Sequence, residues 1–333
     1  MSRGNPTAVQ YGVGPIGSRV VEVAANHGFE FAGAVDIDPE KVGRDLGRVA
    51  GVGRDLGATV TDDEAAALAA DPDVVFHSTG SSLAAIADQL EAAMAAGADV
   101  VSTAEELSYP WADHRETADR LHETATDHGV TCLGTGINPG FAMDTLPSVV
   151  TTACRDVETV RVERVQDAAT RRRPLQEKIG AGTDVETFET EIAPSAGHVG
   201  LPESIAMVAA GLGWELEAVE ETVEPVVAET AVESEHLSVA PGEVAGIHQV
   251  GVGTVDGREA IELDLRMYLG APDPLDRIAI TGDPDLEVTA TGGFHGDVTT
   301  PAIVVNVVPR VRESSPGLAT MLDIATPRFT ARA

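Results

Sequence analysis

The sequence predicts an α/β protein, in which a doubly wound parallel sheet is followed by an α+β domain with a mixed or antiparallel sheet. Apolar runs alternate with amphipathic helical patterns over roughly the first 130 residues, as expected for parallel strands joined by crossover helices. Beyond residue 215 the pattern becomes strand-rich, with clean alternation over residues 261–267 and a hairpin at Val255-Asp-Gly-Arg258. A length of 333 residues is sufficient for two domains, each with its own core.

The first strand and the first helix are joined by a glycine-rich turn. An apolar run beginning at Ala8 breaks at the pattern Gly-x-Gly-x-x-Gly, and a helical pattern follows. In such a turn the first glycine permits a sharp bend, the second lets backbone approach a pyrophosphate, and the third lets the helix pack on the strand. The free N–H groups of the helix N-terminus attract phosphate. The predicted phosphate site is formed by Gly12, Gly14, Pro15, Ile16 and Gly17.

An acidic residue follows the second strand at the spacing expected for a Rossmann-type dinucleotide-binding domain. Residues 29–35 predict the strand, and Asp36 lies nineteen residues after Gly17. Such a carboxylate binds the hydroxyls of the adenine ribose, which favours NAD as the cofactor. Arg44 or Lys41 is able to reach a 2′-phosphate, so NADP stays open. The alternative is a flavodoxin-like unit whose glycine turn binds nothing.

Small and hydroxylated residues follow the next two strands. Ligands of an open parallel sheet bind beyond the carboxyl ends of its strands. The strand over 73–77 ends at His77, interpreted as a core residue, and the strand over 99–102 leads to Glu105. We expect Glu105 to approach the nicotinamide or a cationic substrate as a catalytic residue, with helix capping as the alternative. The predicted contacts to the nicotinamide half of the cofactor are Ser78, Thr79, Gly80, Thr103 and Ala104.

Residues 134–147 form a loop that divides the chain. Three glycines and a proline within 134–140 exclude regular structure there. We interpret the loop as a hinge between a dinucleotide-binding domain over 1–145 and an α+β substrate and oligomerisation domain over 146–296. The hinge also lines the cofactor cleft, where Asn138 and Pro139 are predicted to contact the cofactor.

Four long motifs accompany the glycine loop: Ser-Thr-Ala-Glu-Glu-Leu-Ser-Tyr-Pro at 102–110, Gly-Thr-Gly-Ile-Asn-Pro-Gly-Phe-Ala-Met-Asp-Thr-Leu-Pro at 134–147, Arg-Arg-Arg-Pro-Leu-Gln-Glu-Lys-Ile-Gly at 171–180 and Gly-His-Val-Gly-Leu-Pro-Glu-Ser at 197–204. Together they resemble the 2,4-diaminopentanoate dehydrogenases, within the wider superfamily of dihydrodipicolinate reductase. The resemblance covers nearly the whole chain and implies NAD(P)-linked oxidative deamination of a diamino acid. It also implies that segment 297–333 packs back on the first domain through a helix near 298–308.

Basic residues after residue 170 are predicted to hold a substrate carboxylate. Arg172 or Arg173 is able to form a bidentate pair with it. The alternative is that the arginines only balance the negative charge of the acidic surface. Lys178 precedes a glycine-rich turn similar to one that grips a carboxylate in dihydrodipicolinate reductases, whose paired histidines are missing here. The predicted substrate contacts also include Asp167, Gln176 and Asn138.

His198 is the preferred proton acceptor. It lies in a glycine-rich loop before a helical pattern over 203–212, and with Glu203 it is suited to take a proton from an ammonium or to activate water. A helix-capping role is the alternative. The predicted catalytic residues are His198, Lys178 and Glu105, without a metal.

The expected reaction takes place between the domains. His198 removes a proton from the 4-ammonium of a 2,4-diaminopentanoate-like substrate, hydride passes to NAD or NADP, and water converts the imine to the 4-oxo amino acid and ammonia. Two alternatives stay open: an imine reductase of the dihydrodipicolinate reductase type, and a non-enzymatic NAD(P)-binding sensor.

Composition bears on partners and surroundings. The chain has 54 acidic and 22 basic residues, a net charge of −32, and only two lysines, Lys41 and Lys178. Such a surface repels itself at ordinary salt, but at molar salt the Debye length is about 3 Å and the repulsion is screened. This balance resembles proteins of salt-accumulating halophiles. Nucleic acid and anionic membranes are excluded as partners because they repel the surface.

The remaining expectations concern location and assembly. The sequence has neither a signal-peptide pattern nor an apolar run long enough to span a membrane. Cys132 and Cys154 lack metal-ligand spacing, so reduced thiols in a cytoplasmic protein are expected. The expected partners are a small amino-acid substrate and further copies of the chain, as a homodimer or homotetramer.

Overall fold

The computed structural model describes residues 5–193 and 197–329. The chain forms two compact units, residues 1–141 together with 296–333, and residues 142–295. Residues 330–333 of the predicted returning segment lie outside the described residues.

The strands are numbered in chain order. They are β1 (Thr7–Tyr11), β2 (Glu30–Val35), β3 (Val60–Thr61), β4 (Val74–His77), β5 (Asp99–Ser102), β6 (Thr131–Gly134), β7 (Asp156–Asp167), β8 (Ala218–Val227), β9 (Val232–Glu233), β10 (Ser238–Val239), β11 (Val244–Val255), β12 (Arg258–Tyr268), β13 (Leu275–Asp283), β14 (Leu286–Thr291) and β15 (Gly317–Ala319).

The α-helices are numbered in the same way. They are α1 (Pro15–Asn26), α2 (Leu46–Val49), α3 (Glu64–Leu68), α4 (Leu83–Ala95), α5 (Arg115–His128), α6 (Thr145–Thr151), α7 (Arg173–Lys178), α8 (Val185–Thr187), α9 (Leu201–Leu212) and α10 (Gly296–Val311). Short 3₁₀ segments span Glu105–Ser108 and Ala168–Thr170, and a π-helical turn spans Phe188–Ile192.

The first unit is built on a parallel sheet in the order β15-β6-β5-β4-β1-β2-β3. From β1 the chain proceeds to β2 and β3 on one side and then to β4, β5 and β6 on the other. The direction therefore switches between β1 and β4, and ligands of such sheets bind beyond the carboxyl ends of the strands at this point. The predicted Rossmann-type sheet is confirmed.

The second unit contains a mixed sheet in the order β14-β13-β7-β12-β11-β8. Strands β7 and β12 are parallel, and the other neighbours are antiparallel. Helix α9 packs on β11, where Gly251 and Gly253 leave room for it: a Cβ at these positions would lie 2.8 and 2.6 Å from side-chain carbons of Ile205. The predicted α+β character of this part is confirmed.

The end of the chain belongs to the first unit. Helix α10 contacts α1, and β15 pairs with β6 at the edge of the parallel sheet. The guanidinium of Arg312 lies 2.6 Å from the carboxylate of Asp73, which also accepts the N–H of Thr7 at 2.8 Å. These contacts join the last helix to the start of β1 and β4.

The turn between β1 and α1 has no room for a side chain at Gly17. A Cβ on Gly17 would lie 2.0 Å from the carbonyl oxygen of Gly12 and 2.9 Å from Nε2 of Gln10. A Cβ on Gly14, in contrast, would have nothing within 4 Å. The two glycines therefore differ: one is required by packing, and the other leaves the turn open to its surroundings.

We predict that Gly17→Ala lowers the free energy of unfolding by roughly 1–3 kcal/mol, because the added methyl group forces the turn away from the helix. Gly14→Ala is the matched control, and its stability is expected to stay within about 0.5 kcal/mol of the wild type. Denaturant titration at constant high salt measures both. Equal stability of the two variants would contradict this account of the turn.

Candidate functional site

The glycine turn forms an open cradle at the N-terminus of α1. Gly12 has a φ of +86°, and a Cβ there would lie 2.6 Å from the carbonyl oxygen of Ser78, so the position requires glycine. Gly14 is the N-cap of α1 and Pro15 is its first residue, while Ile16 is half-buried in the first turn. Unpaired N–H groups at this helix end favour a bound anion.

Asp36 ties the end of β2 to this turn. Its Oδ2 accepts the N–H of Val13 at 2.8 Å and lies 3.0 Å from the ammonium of Lys41, and its Oδ1 accepts the N–H of Asp38 at 2.9 Å. Partial burial works to raise the pKa of Asp36, but the bonds from Asp38, Lys41 and Val13 outweigh it and lower the pKa. The residue is therefore a fixed carboxylate at neutral pH.

The residue that follows Asp36 is an exposed isoleucine. Ile37 exposes 90% of its surface, more than any other described large hydrophobic residue. An apolar side chain beside a carboxylate that is predicted to bind ribose is suited to cover the flat face of an adenine. Sequence reasoning missed Ile37, because an isolated isoleucine in a loop gives no pattern.

A buried polar network fixes the ends of β4 and β5. His77, 1% exposed, lies with Nε2 2.9 Å from Oε1 of Gln89 and with Nδ1 2.9 Å from the hydroxyl of Ser102. An amide oxygen only accepts, so Nε2 carries the hydrogen and Nδ1 accepts from Ser102. Thr79 donates to the same Gln89 oxygen at 2.7 Å. Burial lowers the pKa of His77 to about 4, although the bond to Gln89 opposes the shift, so the ring is neutral.

This network places several predicted cofactor contacts at the sheet edge. Ser102 accepts the N–H of Ala104 at 3.1 Å, and the N–H of Thr103 donates to the carbonyl of His77 at 2.9 Å. A Cβ on Gly12 would also lie 3.0 Å from the methyl group of Thr79, so the loops after β1 and β4 touch. Gly80 is exposed beyond them. These contacts are consistent with the prediction that the loops after β4 and β5 lie at the same edge of the parallel sheet.

The two adjacent glutamates after β5 have different surroundings. Glu106 accepts the N–H of Leu83 at 2.6 Å and lies 3.1 Å from Nε2 of His114, so it caps the first turn of α4. Glu105 is half-buried at the start of the 3₁₀ segment, and its carbonyl accepts from the hydroxyl of Ser108 at 2.8 Å. Glu106 therefore has a capping role, whereas both the catalytic and the capping interpretation of Glu105 stay predictions.

The loop after β6 is buried. Asn138 exposes 7% of its surface, and neither Oδ1 nor Nδ2 has a hydrogen-bond partner among the described residues. The same holds for the hydroxyl of Thr135, at 3% exposure. Pro139 is buried next to Asn138. Orphaned buried polar atoms are rare in folded proteins, so this loop is suited to bind a ligand.

The first unit fits a dinucleotide in three respects. The turn of Gly12 and Gly14 leaves backbone open beside a helix N-terminus, Asp36 supplies an ionised carboxylate beyond β2, and Asn138 supplies an unsatisfied amide beyond β6. These features lie at the carboxyl edge of one sheet, on both sides of the switch point.

Two predicted substrate contacts of the second unit have internal partners. Asp167 accepts the N–H groups of Ala169 and Gly270 through Oδ1, both at 2.9 Å. Gln176 is fully buried; its Nε2 donates to three backbone carbonyls, and its Oε1 accepts from Ser234 at 2.8 Å. Both side chains hold the turn before α7, and their role toward a substrate stays a prediction.

The basic residues beside them are exposed. Arg173 lies 2.7 Å from Glu177, one turn along α7, whereas Arg172 is the N-cap of the helix and Lys178 is its last residue. An exposed pair of this kind is weak. Each of the three cations is therefore accessible to an anionic group from solution.

His198 lies elsewhere on the mixed sheet. The backbone N–H of His198 donates to Oε1 of Gln249 at 2.6 Å, and the ring Nδ1 lies 2.6 Å from the carbonyl oxygen of Val199. A carbonyl only accepts, so Nδ1 carries a hydrogen. The turn after α7 reaches β11 at Val244, five residues before Gln249, which is roughly 17 Å along the strand. The structure thus separates the His198 loop from the α7 turn.

Two supporting residues were missed by sequence reasoning. Gln249 is 2% exposed, and its Nε2 donates to Glu221 at 2.8 Å. It lies on the buried face of β11, where the alternating pattern has small or apolar residues. A polar residue at such a position could have been recognised from the sequence. Gln89 gave no such signal, because its partner His77 lies 12 residues away in sequence.

Residues 5–193 and 197–329 contain no group of three or more His, Cys, Asp or Glu side chains that could hold a metal ion. In the same part of the chain, every helix is too short or too polar to cross a bilayer.

The fold and the glycine cradle define the class of the protein: a Rossmann-type oxidoreductase that uses NAD or NADP. Comparison with known proteins then gives the family. Residues 141–332 match the model of the 2,4-diaminopentanoate dehydrogenase C-terminal domain. The chain belongs to the 2,4-diaminopentanoate dehydrogenase family, and the predicted resemblance is confirmed.

Individual relatives agree with this assignment. The chain is 34% identical to a 2,4-diaminopentanoate dehydrogenase of Acetoanaerobium sticklandii over 264 residues, 77% of this chain and 74% of that protein. It is 29% identical to an amine dehydrogenase of Streptomyces virginiae over 96% of both. The structure of an amine dehydrogenase from Mycobacterium smegmatis matches with a TM-score of 0.87 and 26% identity, over 99% of both chains. The prediction of an NAD(P)-dependent amine dehydrogenase is confirmed at this level.

We predict that neutral His77 makes stability pH-dependent. Its pKa is about 4 in the fold and about 6.5 when unfolded, so between these values only the unfolded chain binds the proton, and stability falls as pH falls. Between pH 7 and pH 5 the wild type should lose about 2 kcal/mol more than His77→Gln, which does not titrate. Urea titrations at both pH values measure the difference. Identical losses would show that this ring is not held neutral.

We also predict that Lys41 sets the balance between the two cofactors. Its ammonium offsets the charge of Asp36 and is placed to attract a 2′-phosphate. Lys41→Gln should therefore raise the ratio of the NADPH to the NADH dissociation constant about tenfold, or ~1.4 kcal/mol. Lys178→Gln, which removes the other lysine, is the control and should leave the ratio unchanged. Calorimetry in molar KCl tests this, and an unaltered ratio in Lys41→Gln would contradict it.

Proposed function

We propose that the protein deaminates a 2,4-diaminopentanoate-like diamino acid oxidatively, giving the 4-oxo amino acid and ammonia. The observation that carries the proposal is the match of residues 141–332 to the 2,4-diaminopentanoate dehydrogenase C-terminal domain, because this part contains the candidate residues Arg172, Lys178 and His198. The identity to the A. sticklandii enzyme supports the same substrate class. Neither a cyclic-imine reductase nor a non-enzymatic sensor is favoured by a specific observation.

The cofactor is proposed to bind the first unit. Gly12, Gly14 and the first turn of α1 hold its phosphates, Asp36 holds the adenine ribose, and the loops after β4 and β5 receive the nicotinamide half. When bound, NAD(P)+ accepts a hydride from the carbon that carries the reacting amino group. The neutral network around His77 keeps the loop of Thr79 and Ala104 in one conformation, which limits the motion of whatever binds there.

The second unit is proposed to bind and deprotonate the substrate. Arg173 is paired with Glu177, whereas Arg172 has no acidic partner among the described residues, so Arg172 is the better of the two to attract the substrate carboxylate from solution. The α7 turn and the His198 loop are anchored on β11 roughly 17 Å apart, so a five-carbon substrate that reaches His198 no longer contacts the α7 cations. Lys178 adds positive charge at the other end of α7. His198 takes the ammonium proton at Nε2, since its Nδ1–H is bonded to Val199. Glu105 supplies a carboxylate that attracts the substrate cation or orients the water that hydrolyses the imine.

The test of this function is formation of NADH or NADPH from 2,4-diaminopentanoate in molar KCl. A simple amine of the same length without the carboxylate is the comparison, because amine dehydrogenases are among the relatives. The proposal expects turnover of the diamino acid with the higher kcat/KM. If only the simple amine is turned over, the substrate is a simple amine and the proposed diamino acid is wrong.

We predict that His198→Asn lowers kcat/KM for the diamino acid by about 10²–10⁴-fold, the usual contribution of a general base. NADH binding should be unchanged, since the cofactor contacts belong to the first unit. His236→Asn is the matched control, because His236 is an exposed histidine of the same unit. Activity of His198→Asn within threefold of the control would remove His198 from the mechanism, and Glu105→Gln would then be the variant to measure.

A further inference from the structure

The side-chain amide of Asn138 is buried in the first unit, and the described part of the chain supplies none of the hydrogen bonds that such a group needs. Both of its polar atoms lack a partner in the described ranges 5–193 and 197–329, at an exposure of 7%. One of them is an acceptor and the other a double donor. A ligand that satisfies both must itself present an acceptor and a donor side by side.

The surrounding loop holds this side chain in place. The N–H of Ile137 donates to the hydroxyl of Thr300 at 3.3 Å. A Cβ on Gly140 would lie 2.4 Å from the nitrogen of Gly136 and 2.6 Å from the hydroxyl of Thr135, so the loop folds tightly on itself. The orphaned amide is therefore part of a compact, buried turn and not of an exposed tip.

The position in the sheet indicates which part of a dinucleotide comes near. The loop follows the carboxyl end of β6, which lies three strands from β1, on the side opposite β2 and Asp36. Three strand spacings correspond to roughly 14 Å. A dinucleotide with its adenosine at Asp36 and its phosphates at the turn after β1 has its nicotinamide end on the β4 to β6 side.

Resting on the proposed cofactor site, we infer that Asn138 binds the carboxamide of the nicotinamide. Its Oδ1 accepts from the carboxamide NH₂, and its Nδ2 donates to the carboxamide oxygen. A carboxamide presents a donor and an acceptor in one planar group, so it satisfies both atoms with a single functional group. An α-amino acid would need both its ammonium and its carboxylate to do the same, and the position beyond β6 favours the nicotinamide end of the cofactor. The hydroxyl of Thr135 is a further donor at the same loop.

The inference predicts a loss of affinity confined to the nicotinamide end. Calorimetry in molar KCl compares NADH with ADP-ribose, which lacks the nicotinamide, on the wild type, Asn138→Ala and the control Asn5→Ala, an exposed asparagine of the same unit. Asn138→Ala should bind NADH roughly ten- to hundredfold more weakly and ADP-ribose as the wild type does. Asn5→Ala should match the wild type with both ligands.

A cofactor analogue provides a second readout that needs no variant. The 3-acetylpyridine analogue of NADH carries a methyl group in place of the carboxamide NH₂, so it cannot donate to Oδ1. The wild type should bind it about tenfold more weakly than NADH. Asn138→Ala should bind the two equally, because the partner of the missing NH₂ is gone.

Three results would overturn the inference: unchanged NADH affinity in Asn138→Ala, equal losses for NADH and ADP-ribose, or a wild type that does not distinguish NADH from the analogue. The comparison of NADH with the analogue on the wild type tests the inference even if Asn138→Ala does not fold. A wild type that binds neither NADH nor ADP-ribose would instead reject the cofactor site of the proposed function, and the inference with it.

Discussion

The bond between the Asp36 carboxylate and the N–H of Val13 is the constraint on which the glycine-turn edge of the parallel sheet depends. It joins the end of β2 to the turn after β1, and Lys41 and Asp38 hold the same carboxylate from the other side. One ionised group thus fixes the turn, orients its own oxygens and sets the local charge. The pKa of Asp36 is lowered by these bonds, so the arrangement persists throughout the neutral range.

Much of the first unit could be predicted because its signals are local. The strand, glycine turn and helix over residues 7–26 are encoded by neighbours in sequence, and the spacing to Asp36 follows from the length of one helix. The same holds for the hairpin of β11 and β12, whose turn residues stand between two alternating strands. In such segments propensity, polarity pattern and turn chemistry favour the same structure.

The partners of individual polar side chains could not be predicted, because they lie far away in sequence. The bond from the hydroxyl of Ser234 to Gln176 spans 58 residues, and that from the N–H of Gly270 to Asp167 spans 103. Asp167 and Gln176 therefore look like free candidates in the sequence and prove to hold a turn of the second unit. The capping role of Glu106 depends likewise on the N–H of Leu83, which no local pattern specifies.

The scarcity of lysine has a practical consequence for work with this protein. Lys41 and Lys178 carry the only side-chain amines, and Lys41 is partly buried against two carboxylates, whereas Lys178 is exposed. An aldehyde-activated resin or a succinimidyl dye would thus find one readily reactive side chain, at the end of α7. Attachment through it would orient the molecules uniformly but would occupy the segment proposed to receive the substrate, so carboxyl- or thiol-directed coupling is the better choice for biosensors and immobilised catalysts.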